Sequence, residues 1–113
     1  MDSILVSIKK LLGIEESYTH FDEDIRMHIN TAFVTLTQIG VGPVEGFTIV
    51  DKDDKWSDFS EKAPESIKIL MYLKVRLLFD PPTTSFQIEA IKDSIEELEW
   101  RIRTDMEFGE GGS

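Results

Sequence analysis

Two consecutive prolines, Pro81 and Pro82, interrupt the stretch LKVRLLFDPPTTSF and constrain this chain more than any other feature. The residues before them are mostly apolar, with Lys74 and Arg76 set among them. Proline disfavours the helical region for the residue it follows and has no amide hydrogen, so neither Asp80 nor Pro81 easily extends a helix. Thr84 with Gln87 three residues on resembles a capping box, which starts a new helix at once. A stop and a restart this close predict a tight helical hairpin.

The first arm of that hairpin is expected from about Glu65 to Phe79, with Pro64 suited to its first turn. At about 100° per residue, Ile67, Ile69, Leu70, Met71, Leu73, Val75, Leu77 and Leu78 cover most of its circumference. A helix apolar nearly all round is central to a core or is covered partly by another subunit. Lys68, Tyr72 and Arg76 share the remaining arc. Lys74 falls inside the apolar arc, so it must snorkel or find an acidic partner.

The second arm, expected to end near Thr104, carries Ile88, Ile91, Ile95, Leu98 and Ile102 as a narrow stripe. Glu97 with Arg101 and Glu99 with Arg103 are well-oriented i, i+4 pairs. Phe86 and Trp100 project about 160° and about 120° away from Ile88, off the stripe. Two readings of Trp100 follow: a packing residue under the irregular middle of the chain, or an anchor for a protein partner, where Trp is favoured.

Upstream, Ile4, Leu5, Ile8, Leu11 and Leu12 form one face of a short first helix, with Ser3 as N-cap and Gly13 as stop. FDEDIRMHINTAFVTLTQIG reads as a second helix. It gathers Asp22, Glu23 and Asp24 where the helix dipole favours negative charge, and Gly40, Gly42 and Pro43 end it. The segment that follows, through Glu65, lacks a period. FTIV in it has the composition of a small strand and WSDF that of a helical turn. The fold class expected is mainly α: a small four-helix domain over residues 1–104, with a C-terminal helical hairpin and a short irregular or β segment between helices 2 and 3. Residues 105–113 carry no pattern and are expected to form a flexible tail.

Composition narrows the functional classes. A formal charge of −10, spread along all 113 residues, disfavours tight binding to nucleic acid, which needs clustered Lys and Arg, yet suits DNA that slides past. No apolar run approaches the roughly 20 residues needed to span a bilayer, and MDSILVSIKKLLG lacks the pattern of a secretory signal, so no membrane role is expected. There is no cysteine, hence no thiolate metal site or thiol nucleophile.

DKDDK, residues 51–55, has aspartates at calcium-loop spacing, but the sixth position would be Trp56 rather than Gly and the twelfth Lys62 rather than Glu, so a solvated turn is the better reading. His20 and His28 lack a zinc-site context. No phosphate-cradling glycine motif occurs and no orienting constellation nominates a base or nucleophile, so no catalytic, cofactor or metal residue is assigned. Lys68, Lys74 and Arg76 make a thin basic patch, better read as pairing with acids.

LLGI at the end of the first helix, FDEDI, QIGVGP, WSDF, YLKVRLLFDPP with SF following, and IEELEWRI together resemble the head-to-tail connector proteins of tailed bacteriophages, also called head-completion or adaptor proteins. The resemblance spans about residues 3–103. It implies a small α-helical domain that assembles as a homo-oligomeric ring, twelvefold on the phage portal protein and monomeric when free. It further implies a virion location at the head–tail junction after assembly in the host bacterial cytoplasm. The ring extends the DNA channel and presents a platform to a neck stopper or tail-completion protein.

No catalytic residue and no cofactor come with this resemblance. It makes Tyr72, Lys74, Arg76, Phe86 and Trp100 candidates for subunit or partner interfaces, with Lys74 and Arg76 meeting a ring neighbour's acids. Met106 and Phe108 become candidates for contact with a neighbouring component. The competing reading is a free-standing acidic helical regulatory or inhibitor domain that binds a basic protein partner.

Overall fold

A computed structural model describes residues 3–60 and 64–111, the side chains as far as Thr104. Among the described residues the ordered elements are α1 (Ile4–Leu11), α2 (Asp22–Gln38), the single turn α3 (Trp56–Phe59), α4 (Glu65–Phe79) and α5 (Ser85–Gly111). The helical domain expected from the sequence is what forms. Helix α4 is its centre, packing on α2, α5 and α1.

Local chemistry explains the element boundaries. Ser3 caps α1, its hydroxyl accepting from the Val6 amide at 3.2 Å. Helix α2 begins without a side-chain cap; three acids in its first turn face the dipole instead. Of these, Glu23 is held by a hydrogen bond from the Arg26 guanidinium, which lowers its carboxyl pKa. At the hairpin, the Asp80 amide closes on the Arg76 carbonyl at 2.9 Å, and Asp80 then leaves the helical region ahead of the prolines. Thr84 accepts from the Gln87 amide at 3.2 Å and starts α5.

Ile4, Ile8, Ile25, Ile29, Phe33, Leu36, Leu70, Met71 and Val75 build the core. The irregular segment closes it from one side, contributing Val41, Ile49, Trp56 and Phe59. FTIV does not form the strand that its composition suggests. The Asn30 side chain does a strand's work there, donating to the Ile49 carbonyl at 3.0 Å and accepting from the Ile49 amide at 2.7 Å. A single side-chain amide thus satisfies both backbone groups of Ile49, the buried residue of FTIV. Ser3 and Lys55 form an isolated antiparallel bridge, and Trp56 donates its indole N–H to Ser7 at 3.2 Å.

Two of the three DKDDK aspartates, Asp51 and Asp54, are spent on their own turn. Asp54 accepts from the amides of Val50 and Asp51, Asp51 from that of Asp53, and the Asp58 carboxylate from that of Lys55. Gly42 sits at φ +90°, and a Cβ there would lie 2.5 Å from the Phe59 ring. Only glycine lets the chain turn this tightly over that ring.

The sequence reading stops the last helix near Thr104, but the α5 backbone is helical to Gly111. The side chains of Met106 and Phe108 lie outside the described residues.

Candidate interface surfaces on helices 4 and 5

The two arms of the hairpin hold their interface candidates in different ways. On α4, Lys74 points inward. Its ammonium reaches the Thr35 hydroxyl of α2 and the Glu99 carboxylate of α5, both at 2.5 Å. The acid that Lys74 needs comes from its own chain, so the ring neighbour expected to supply one is not required. The reason is positional: Glu99 sits at the α4-facing edge of α5, and Lys74 takes it in place of Arg103. Tyr72 and Arg76, one turn apart on the outer arc of α4, pair with each other, the guanidinium donating to the phenol oxygen at 3.4 Å. Both are half-buried. Ile69, seven residues before Arg76 and so on the same arc, is half exposed.

Helix α5 is only partly covered. Of its apolar stripe, Ile102 is buried and Ile95 and Leu98 pack against the core, while Ile88 and Ile91 are half-exposed. Away from the stripe, Phe86 is 82% exposed and Trp100 65%. The even choice over Trp100 falls on the surface: its ring is mostly in solvent and forms no part of the core, while the tryptophan that packs in the irregular region is Trp56. Phe86 and Trp100 are 14 residues apart, which sets them about 40° apart in azimuth and about 21 Å apart along the helix axis. They belong to one outer face.

Carboxylates line that face. Asp93, Glu96, Glu97 and Glu99, with Arg103, surround Trp100 in a shallow groove of about 540 Å³. Glu97 holds Arg101 at 2.9 Å, as its i, i+4 spacing predicts, and Glu99 holds Lys74. Asp93 and Glu96 have no cationic partner among the described residues.

A buried cation elsewhere escaped sequence reasoning. Lys9 is 2% exposed and ties the loop after α1 down, donating to the carbonyls of Glu16 at 3.0 Å and Tyr18 at 2.8 Å. Its ammonium is also 2.8 Å from Asp22 Oδ1, off the direction of a hydrogen bond, so this contact is an ion pair in which that oxygen accepts none. The only sequence signal was position: Lys9 follows Ile8 and Leu5 on the packed side of α1. A second open groove, of about 600 Å³, lies beside it. Lys9 and Asp22 in its lining are already committed to fastening the loop.

Among the described residues no group of His, Asp and Glu is placed to hold a metal ion, and no helix is long and apolar enough to cross a membrane. What the geometry offers is surface. Helix α5 presents two exposed aromatic rings among acids, and α4 a smaller mixed patch, on a domain whose interior is complete without either. No curated protein and no solved structure matches the chain. The family model for the phage connector protein matches residues 4–108, nearly its whole length, and the chain belongs to that family, whose place is the phage head–tail junction.

Proposed function

We propose that this chain is a structural neck protein that assembles as a ring on the phage portal, extends the DNA channel and joins head to tail. The observation that carries the reading is the outer face of α5. Phe86 and Trp100 are large, aromatic and solvent-facing on a domain that already has a closed core. Exposed aromatic rings on one face mark a protein contact more often than chance exposure does.

A ring of identical subunits needs two different surfaces on each copy, one meeting the other in the neighbour. The Ile69, Tyr72 and Arg76 arc of α4 is one such surface, and the α5 face is left for a different component of the neck. Met106 and Phe108 are candidates for contact with the next component of the neck. A charge of −10 per copy suits a channel wall, because it repels the DNA backbone and keeps the duplex mobile. No reaction is assigned to the chain. The free protein is a monomer until a portal raises its local concentration, and its place in the virion is the head–tail junction.

The test is electron microscopy of the purified chain mixed with the portal protein of the same phage, with native mass spectrometry to count copies. A ring capping the portal supports the reading, and twelve copies would fix the symmetry. A folded chain that leaves the portal bare overturns it and turns the choice to the free-standing regulator. That reading has one observation in its favour, the acid-rich face of α5, and it predicts binding to a basic protein in a single copy.

A further inference from the structure

From the outer face of α5 we infer a partner of defined chemistry: an arginine-bearing segment of a different protein, laid along the helix with a guanidinium stacked on Trp100 between Asp93 and Glu96. This rests on reading that face as an interface, and not on the ring.

Asp93, Glu96, Glu97 and Trp100 follow one another at i, i+3, i+4 and i+7, so three carboxylates and the indole share one side of the helix. Glu97 is already paired with Arg101. Asp93 and Glu96 are unpaired among the described residues, and they flank a tryptophan that is 65% exposed. An indole face attracts a cation, and the planar guanidinium both stacks on the ring and binds a carboxylate through two N–H groups. A lysine ammonium does only part of this. Phe86, about 21 Å along the same face, would receive an apolar side chain of the same segment, which sets its length at about 14 helical residues.

Charge and inventory exclude the other occupants. Nucleic acid is repelled by the carboxylates. A second copy carries the same net charge of −10, which opposes its approach to this face, and its arginines already lie beside groups of its own chain. Arg26 is paired with Glu23, Arg76 with Tyr72 and Arg101 with Glu97, and Arg103 lies in the groove itself.

The test is calorimetric titration of the full chain with a synthetic helical peptide of about 14 residues that carries arginine and leucine on one face, beside a version with lysine for arginine. Trp100→Ala is expected to weaken the arginine peptide about tenfold or more, as is the double variant Asp93→Asn with Glu96→Gln. A charge-matched control, Glu15→Gln with Glu45→Gln, is expected to stay within about twofold of the wild type, and the lysine peptide to bind several-fold more weakly. Circular dichroism melts establish that each variant is folded. Absent binding, an unchanged affinity in Trp100→Ala, or equal losses in the two double variants would overturn the inference. So would sedimentation showing a self-associated chain that Trp100→Ala turns monomeric, since a second copy would then be the occupant. A portal left bare in the microscope, with peptide binding intact, would remove the ring and leave this inference standing.

Discussion

The two tryptophans stand in regions with opposite logic. Trp56 lies in the least regular part of the chain, on a four-residue helix, and is 1% exposed. Its ring packs near Phe33, its N–H finds Ser7, and Lys68 stands 5.9 Å over its face. Trp100 lies in the most regular part, on the longest helix, and faces solvent. Regular secondary structure therefore does not mark the interior here. The irregular segment is the lid of the core, held by Asn30 and by the aspartates of its own turns, whereas the long helix lends one stripe to the core and keeps its other side for something outside the chain.

The largest effect expected is in the lid. Trp56→Ala removes a fully buried ring and leaves a cavity that its neighbours cannot fill, at a cost of about 3–5 kcal/mol. Urea unfolding measures it. A loss below about 1 kcal/mol would mean that the lid is an appendage and would erase the contrast with α5.

The contrast repeats with lysines. Lys9→Met leaves two carbonyls and Asp22 without their buried cation, and is expected to cost about 3 kcal/mol. Lys74→Met, in the α4–α5 seam, strands Glu99, whose side chain is 26% exposed and can turn toward water. About 1 kcal/mol is expected there. Equal losses in the two variants would place α5 as firmly in the domain as α1. Gly42→Ala is expected between them, at about 2 kcal/mol, because the new methyl must both tolerate positive φ and displace the Phe59 ring. A crystal structure of this variant would show the ring moved or the 41–46 turn reshaped.

How much of this the sequence discloses follows from periodicity. The hairpin was legible because proline chemistry is local: Asp80, Pro81, Pro82 and Thr84 act on their own backbone, whatever the rest of the fold does. The phase of α5 was legible for the same reason, and it put Phe86 and Trp100 off the stripe. It could not say whether another element covers them, since that depends on where residues 41–60 run, and those have no period to read. The roles of Val41, Ile49, Trp56 and Phe59 in the core, and of Asn30 in pinning Ile49, are therefore tertiary facts. Lys9 was hidden for a related cause: a charged residue reads as surface until the carbonyls that receive it are in place. The candidate interface was half legible, its aromatic residues from helical phase and its open carboxylates only once Lys74 was seen to take Glu99.

The smallest effect is the sharpest test of the comparison. Trp100→Ala should change the unfolding free energy by less than about 0.5 kcal/mol, because a ring mostly in water gives up little on removal. Acrylamide quenching in Trp56→Phe and Trp100→Phe, each with one emitter left, makes the same point by another route. The protein keeping Trp100 should emit to the red and quench freely, and the one keeping Trp56 should emit to the blue and resist. Were Trp100→Ala to cost as much as Trp56→Ala, the α5 face would be part of the fold, and the partner it is expected to receive would have nothing left to bind.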